Sequence, residues 1–238
     1  MNAAEATSGI CKGHGGASKA IIARGVEQSP DLLRKENSDV AAAEYHEGEM
    51  GVARLFVALY WTWVASEVLL QVVARTSRGS DEVKDRGSLL LLLPAIFGSI
   101  WISVWYRDAH GRTMLGGAHW LGTAAFILLI VGLAIRWTAI ITLGRSFSTN
   151  VAIHATQTVH KTGLFRWVRH PSYTGMLLIL AAIGISQRNW VSLAIMLVFP
   201  TAALLYRISV EEHALTEAFG NDYVEYARNT KRLLPGIY

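Results

Sequence analysis

The chain has 238 residues, 52% of them hydrophobic and only 17% charged, against about a quarter charged in an ordinary soluble domain. Its net charge is +4 and its mean hydropathy +0.30, and its apolar residues are bunched into long runs, which excludes a soluble globular enzyme in favour of a membrane protein. The basic excess suits cytoplasmic loops and anionic lipid headgroups, and no basic patch interleaved with aromatics points to nucleic acid.

Residues 1–50 are rich in Ala, Gly, Ser, Glu and Lys without a sustained apolar period. This predicts a flexible polar tail with a short helix around Ser38–Glu49. The single cysteine, Cys11, lies in it, so a disulfide framework or thiolate metal site within the chain is excluded. No short basic region followed by an apolar one occurs there, and no cleavable signal peptide is expected.

Apolar segments follow. Residues 51–116 hold two, about Val52–Ala74 and Ser88–Tyr106, and a third runs over about Gly117–Leu143. Each is long enough to cross roughly 30 Å of hydrocarbon as a helix. Two shorter ones, about Ser172–Ser186 and Trp190–Tyr206, are separated only by Gln187, Arg188 and Asn189, which predicts a helical hairpin whose second member Pro200 kinks. After Tyr206, charges recur at helical spacing with Val210, Leu215, Phe219, Tyr223 and Tyr226 as a candidate buried stripe, and Gly220 is the expected break between two short helices. The fold class expected is thus all-α: a polytopic integral membrane protein with about five transmembrane helices, a C-terminal helical hairpin and a short cytosolic helical tail.

Orientation follows from the basic residues beside the spans. Arg75, Arg78, Lys84 and Arg86 follow the first span, Arg145, Lys161, Arg166 and Arg169 precede the hairpin, and Arg207, Arg228, Lys231 and Arg232 follow it. Five spans put all of these on one face. They outnumber Arg34, Lys35, Arg54, Arg107, Arg112 and Arg188 on the other, so the loop before the hairpin and the C-terminal tail are expected in the cytoplasm.

The chemistry concentrates in "GLFRWVRHPSYTGMLL", Gly163–Leu178, where a basic loop runs into an apolar helix. Pro171 suits the first helical position, where orphan backbone N–H groups can receive an anion. An isolated His170-Pro171-Ser172-Tyr173 is equally well explained by an interfacial histidine and a Tyr of the aromatic belt. Arg207 and Glu211 are i and i+4 where the last span emerges, sharing one helical face. They read either as a helix-end pair with a snorkelling guanidinium, or as a fork for a substrate carboxylate beside a carboxylate for a cofactor's amino or ribose group. Glu67 and Arg136, inside the first and third spans, are read as structural, Arg136 reaching for the interface. His110, His119, His154, His160 and His213 lack helical metal-site pairing, so no metal is expected. Neither a GxGxxG after a strand, a Walker loop nor a GxSxG elbow is present, which excludes a soluble Rossmann-type enzyme.

"LAIRWTAIITLGRSFS", "KTGLFRWVRHPSYTG" and "RISVEEHALTEAFGNDYVEYARNTKRLLP", in that order and around a short helical hairpin, resemble the isoprenylcysteine carboxyl methyltransferase family and its phospholipid methyltransferase relatives over about Gly117–Pro235. The resemblance implies that residues 117–238 form a membrane-embedded core that transfers the methyl of S-adenosyl-L-methionine (SAM) to a lipophilic acceptor. The cofactor would enter from the cytosol and the acceptor from the bilayer. Carried over by position, Gln157, Thr158, Val159 and His160 match the segment lining the family's cofactor site, His170, Pro171, Ser172 and Tyr173 its central cofactor motif, Glu211 a cofactor-binding glutamate, and Arg207 the arginine near the acceptor carboxylate. Gln157 stands where the family often has His, and Phe165 where a cofactor-site Tyr is usual, so no phenol is available there. A carboxylate acceptor is expected, with N-methylation of a phospholipid or lipophilic amine, or a non-catalytic transporter or assembly factor, as the alternatives. The membrane expected is a bacterial plasma membrane with the catalytic face in the cytoplasm, or the endoplasmic reticulum in a eukaryote.

Overall fold

The computed structural model describes residues 30–76, 87–113, 120–144 and 158–236. The chain divides into two compact units, Met1–Gly48 and Glu49–Tyr238. Six α-helices are described: α1 (Pro30–Thr76), α2 (Gly87–His110), α3 (Trp120–Leu143), α4 (Pro171–Ser186), α5 (Trp190–Phe219) and α6 (Asn221–Asn229), with a 3-10 turn at Gly163–Arg166. Among the described residues no strand is present beyond an isolated bridge between Val168 and Lys231. Four stretches, Met50–Val72, Leu90–His110, Trp120–Leu143 and Trp190–Phe219, are long and apolar enough to cross a membrane, and Pro171–Ser186 is a shorter apolar helix. The chain is therefore all-helical and membrane-embedded, with the expected hairpin formed by α4 and α5.

The outer surface of this unit explains the composition. Trp101 and Ile141 are 78% and 77% exposed, and Leu90, Trp105, Val198 and Phe199 also face outward. In hydrocarbon such side chains cost nothing, whereas every backbone group must be satisfied inside its own helix. The core is correspondingly thin, built by Trp63, Leu129, Ile179, Leu180, Met196 and Leu204.

Because lipid tails are as apolar as leucine, helix contact here depends on close packing rather than on exclusion of water. Small residues supply it. A Cβ on Gly175 would sit 2.7 Å from the Arg136 backbone nitrogen and from the Gly132 carbonyl oxygen, and one on Gly132 would sit 2.9 Å from the Gly175 carbonyl oxygen. This pair lets α3 and α4 touch backbone to backbone. At the hairpin a Cβ on Gly184 would meet Leu193 at 2.7 Å.

Asn189 secures the turn of the hairpin. Its side-chain oxygen accepts from the Val191 and Ser192 amides, capping α5, while Nδ2 donates to the Gly111 carbonyl beyond α2 at 2.7 Å. Such a cap stabilises by about 1 kcal/mol.

Besides the short helix expected at Ser38–Glu49, which is part of the continuous Pro30–Thr76 helix, two expectations change. The sequence pattern predicts a new short helix after Tyr206, but α5 runs unbroken from Trp190 to Phe219. Thirty residues span about 45 Å at 1.5 Å each, so the last span and the first tail helix are one rod whose end stands clear of the hydrocarbon. Neither Gly nor Pro occurs between Tyr206 and Phe219, where Glu, Ala and Leu favour helix. Gly220, at φ 53°, ends it as expected.

The second change concerns Arg136, which does not reach for the interface. It is 5% exposed, its Nε and Nη2 donate to the two oxygens of Glu67, and its Nη1 donates to the Ser172 carbonyl at 3.2 Å. A fork-to-carboxylate pair satisfies both charges where water is absent. The tie runs from α1 through α3 to the first turn of α4.

Candidate functional site

The cytosol-expected end of α5 projects beside the loop that enters α4, and the C-terminal segment folds back to lock that loop in place. The Arg169 amide donates to the Lys231 carbonyl at 2.7 Å and the His170 amide to the Arg232 carbonyl at 3.0 Å. Thr174 Oγ1 donates to the Leu233 carbonyl at 2.7 Å. Pro171 is the first residue of α4 and fully buried, so the residue type lacking an N–H sits where the helix has no use for one.

Glu212 is the hub of this junction. Its Oε1 accepts from Arg169 Nε at 2.8 Å and lies 3.3 Å from His170 Nε2, while Oε2 accepts from Arg232 Nε at 2.9 Å. Arg169 also donates through Nη1 to the carbonyls of Ala227 and Thr230, both at 2.6 Å. The guanidinium thereby satisfies the end of α6, which a helix leaves with unpaired carbonyls. By position in the sequence Arg169 is one more positive-inside residue; in the fold it is a structural keystone.

A cleft opens between these elements, lined by Leu143, Thr158, Val159, His160, Phe165, Arg169, His170, Glu211, Leu215, Phe219, Tyr223 and Tyr226. Its wall combines apolar side chains with a few convergent polar groups. Thr158, Val159, His160, Phe165, His170 and Glu211, expected together from the resemblance, thus meet in one place. Tyr173 and Arg207 stand behind the Glu211 wall. The Tyr173 hydroxyl donates to Glu211 Oε2 at 2.8 Å and accepts from Arg207 Nε at 2.9 Å. Tyr173 also stacks on His170 with ring centroids 5.5 Å apart, and His170 Nδ1 lies 3.9 Å from Glu211 Oε2. Arg207 is 3% exposed, so it points into the bundle rather than snorkelling. Pro171 and Ser172 are buried and support the loop without lining the cleft. Gln157 lies outside the described residues.

The tyrosines of α6 form the far wall. Tyr223 and Tyr226 are 4% and 7% exposed and pack edge to face. The Tyr226 hydroxyl donates to the Phe165 carbonyl at 2.6 Å, which fixes the backbone of the position lacking a phenol of its own. Burial pushes the Tyr226 hydroxyl up to about 12 and the Tyr223 hydroxyl well above the ordinary phenol value. A phenol whose proton is held more tightly when folded stabilises fully below its ordinary value of 10.0 and loses that contribution as pH climbs towards 12. Both tyrosines are therefore neutral at physiological pH.

The helical spacing of Leu215, Phe219, Tyr223 and Tyr226 marks a buried stripe in the sequence, and in the fold that stripe faces a cleft. Ser88, whose Oγ accepts from Arg207 Nη1 at 2.8 Å, carries no signal in the sequence, since a serine at the start of an apolar run is commonplace.

Residues 125–217 match the model of the isoprenylcysteine carboxyl methyltransferase family. The chain is 34% identical over 121 residues to protein-S-isoprenylcysteine O-methyltransferase B of Arabidopsis thaliana, covering 50% of this chain and 61% of that protein. It is 35% identical over 113 residues to the Saccharomyces cerevisiae protein-S-isoprenylcysteine O-methyltransferase, covering 47% of each. The matched stretch is thus about half to three fifths of these relatives' length. Among solved structures, the eukaryotic intramembrane Ras methyltransferase ICMT aligns over 79% of this chain and 68% of its own with a TM-score of 0.56 at 21% identity, which is a likeness of fold.

Proposed function

We propose that this chain, whose residues 125–217 match the model of the isoprenylcysteine carboxyl methyltransferase family, is a membrane methyltransferase that uses SAM to methylate the carboxylate of a lipophilic, prenylcysteine-like or isoprenoid acceptor. The observation that carries the reading is the cleft in which Thr158, Val159, His160, Phe165, His170 and Glu211 converge from segments far apart in sequence. The lining fits such a cofactor: apolar Leu143, Val159, Phe165 and Phe219 suit a purine ring, and Glu211 offers a carboxylate to a cationic or hydroxyl-bearing part. SAM, when bound, supplies a methyl already activated by its sulfonium, so an ionised carboxylate can accept it without a general base.

The chain's own task is positioning and exclusion of water. Glu211 holds the cofactor, oriented by the Tyr173 hydroxyl at 2.8 Å. Arg207, tied to the same hydroxyl at 2.9 Å, meets the acceptor carboxylate as a planar fork of donors. The acceptor arrives from the bilayer along the apolar outer faces of the helices, and the cleft faces the cytoplasm, as the basic residues of this loop and tail favour.

Calorimetric SAM binding to the purified protein in detergent, beside Glu211→Ala, tests the reading. Saturable binding that the substitution weakens at least tenfold is expected; a folded protein that binds no SAM points to the non-catalytic alternative. With an acceptor in hand, a base-labile methyl product indicates the ester, and a base-stable one indicates N-methylation.

A further inference from the structure

Tyr223 stands in α6, beyond the residues that match the family model, and is 4% exposed. Among the described residues, its hydroxyl is the one buried side-chain oxygen or nitrogen without a hydrogen-bond partner. We propose that Tyr223 is a cofactor-binding residue whose hydroxyl donates a hydrogen bond to an acceptor atom in the adenosyl part of SAM. The inference rests on the methyltransferase reading above.

A buried hydroxyl with no partner bears the full cost of having left water. Its surroundings are otherwise closely satisfied. The Tyr226 hydroxyl donates to the Phe165 carbonyl at 2.6 Å, and Thr230 Oγ1 donates to the Tyr226 carbonyl at 2.7 Å. Arg169 serves the carbonyls of Ala227 and Thr230 at the end of the same helix. Only the Tyr223 hydroxyl is left over from this set. Because the residue lines the cleft, a ligand pressed against that wall is placed to supply the missing partner.

The phenol offers a proton rather than taking one. Burial holds that proton on, the Glu212 carboxylate adds to the hold, Arg169 opposes it, and Glu211 adds again. The hydroxyl is therefore a neutral donor and wants an acceptor. SAM carries acceptors at its purine nitrogens, its ribose oxygens and its methionyl carboxylate. The last would meet like charge at Glu211 and Glu212. The adenosyl part meets none, and Leu215, Phe219 and Tyr226 on the same wall present apolar and aromatic faces to a flat base.

The test is calorimetric binding of S-adenosylhomocysteine and of decarboxylated SAM to the full-length protein in detergent. Wild type is compared with Tyr223→Phe and Tyr226→Phe, and the thermal unfolding midpoint of each is recorded without ligand. Tyr223→Phe is expected to bind both ligands about three- to tenfold more weakly, as loss of one neutral hydrogen bond implies. Its midpoint without ligand is expected to equal or exceed that of wild type, because an unsatisfied buried group has been removed. Tyr226→Phe, which strands the Phe165 carbonyl, is the contrast and is expected to lower the midpoint. Unchanged affinity of Tyr223→Phe for S-adenosylhomocysteine overturns the inference and leaves the methyltransferase reading standing. A lowered midpoint for Tyr223→Phe overturns it too, because the hydroxyl then has a structural partner. A loss seen with S-adenosylhomocysteine but absent with decarboxylated SAM assigns the hydroxyl to the carboxylate, and the adenosyl assignment falls. A wild-type protein that binds neither ligand removes the methyltransferase reading and the inference together.

Discussion

Glu212 and Glu211 are neighbours in sequence and do different work because the helix turns them about 100° apart. Glu212 faces Arg169, His170 and Arg232; Glu211 faces the cleft and Tyr173. Glu212→Ala leaves Arg169 and His170 buried without their carboxylate, a loss of about 3 kcal/mol for removing one side of a buried pair. A clear fall in the thermal unfolding midpoint in detergent is expected, and an unchanged midpoint would contradict the hub role. For Arg207→Ala the expectation is different: turnover collapses while SAM affinity changes little, opposite to Glu211→Ala, and equal effects of both substitutions on both quantities would sink these roles. The pair Arg207 and Glu211 is legible in the sequence through its spacing, but Ser88 is not, because a hydrogen bond across 119 positions has no local pattern.

Helices α3 and α4 approach backbone to backbone at Gly132 and Gly175. Gly175→Ala would set a methyl 2.7 Å from the Gly132 carbonyl oxygen and the Arg136 amide, all backbone that cannot step aside. A loss of about 1–3 kcal/mol is expected for such overpacking, read as a lower unfolding midpoint with weaker SAM binding, since Ser172 and Tyr173 begin the displaced helix. The ion pair that joins α1 to the same junction behaves differently. Glu67→Gln alone strands the Arg136 charge and is expected to destabilise by about 3–5 kcal/mol. Replacing both partners, as Glu67→Leu with Arg136→Met, should restore much of the loss, because a well-packed apolar replacement of both is close to neutral. A double variant no more stable than Glu67→Gln would show that Arg136 acts chiefly through its bond to the Ser172 carbonyl.

For the molecule as a whole, orientation is the property with the widest consequence. A reporter fused after Tyr238 is expected to be active in the cytoplasm and silent on the far side. The opposite result would separate the cleft from cytosolic SAM. The outward apolar faces around Trp101, Ile141 and Val198 predict extraction by detergent and resistance to alkaline carbonate.

What the sequence alone determined is what depends on local pattern: long apolar runs that demand lipid, the hairpin at Gln187–Asn189, Pro171 opening a helix and Gly220 closing one, and the ordered motifs that carry the likeness to known methyltransferases. Each follows from one segment's composition or from the conformational limits of one residue. Only the tertiary structure decided where α5 ends, that Arg136 turns inward to Glu67, that Arg169 caps α6, and that the apolar stripe of the tail walls a cleft. Those outcomes depend on which groups are left for a buried charge or an aromatic face to meet once the helices have packed, and no stretch of the chain contains that information by itself.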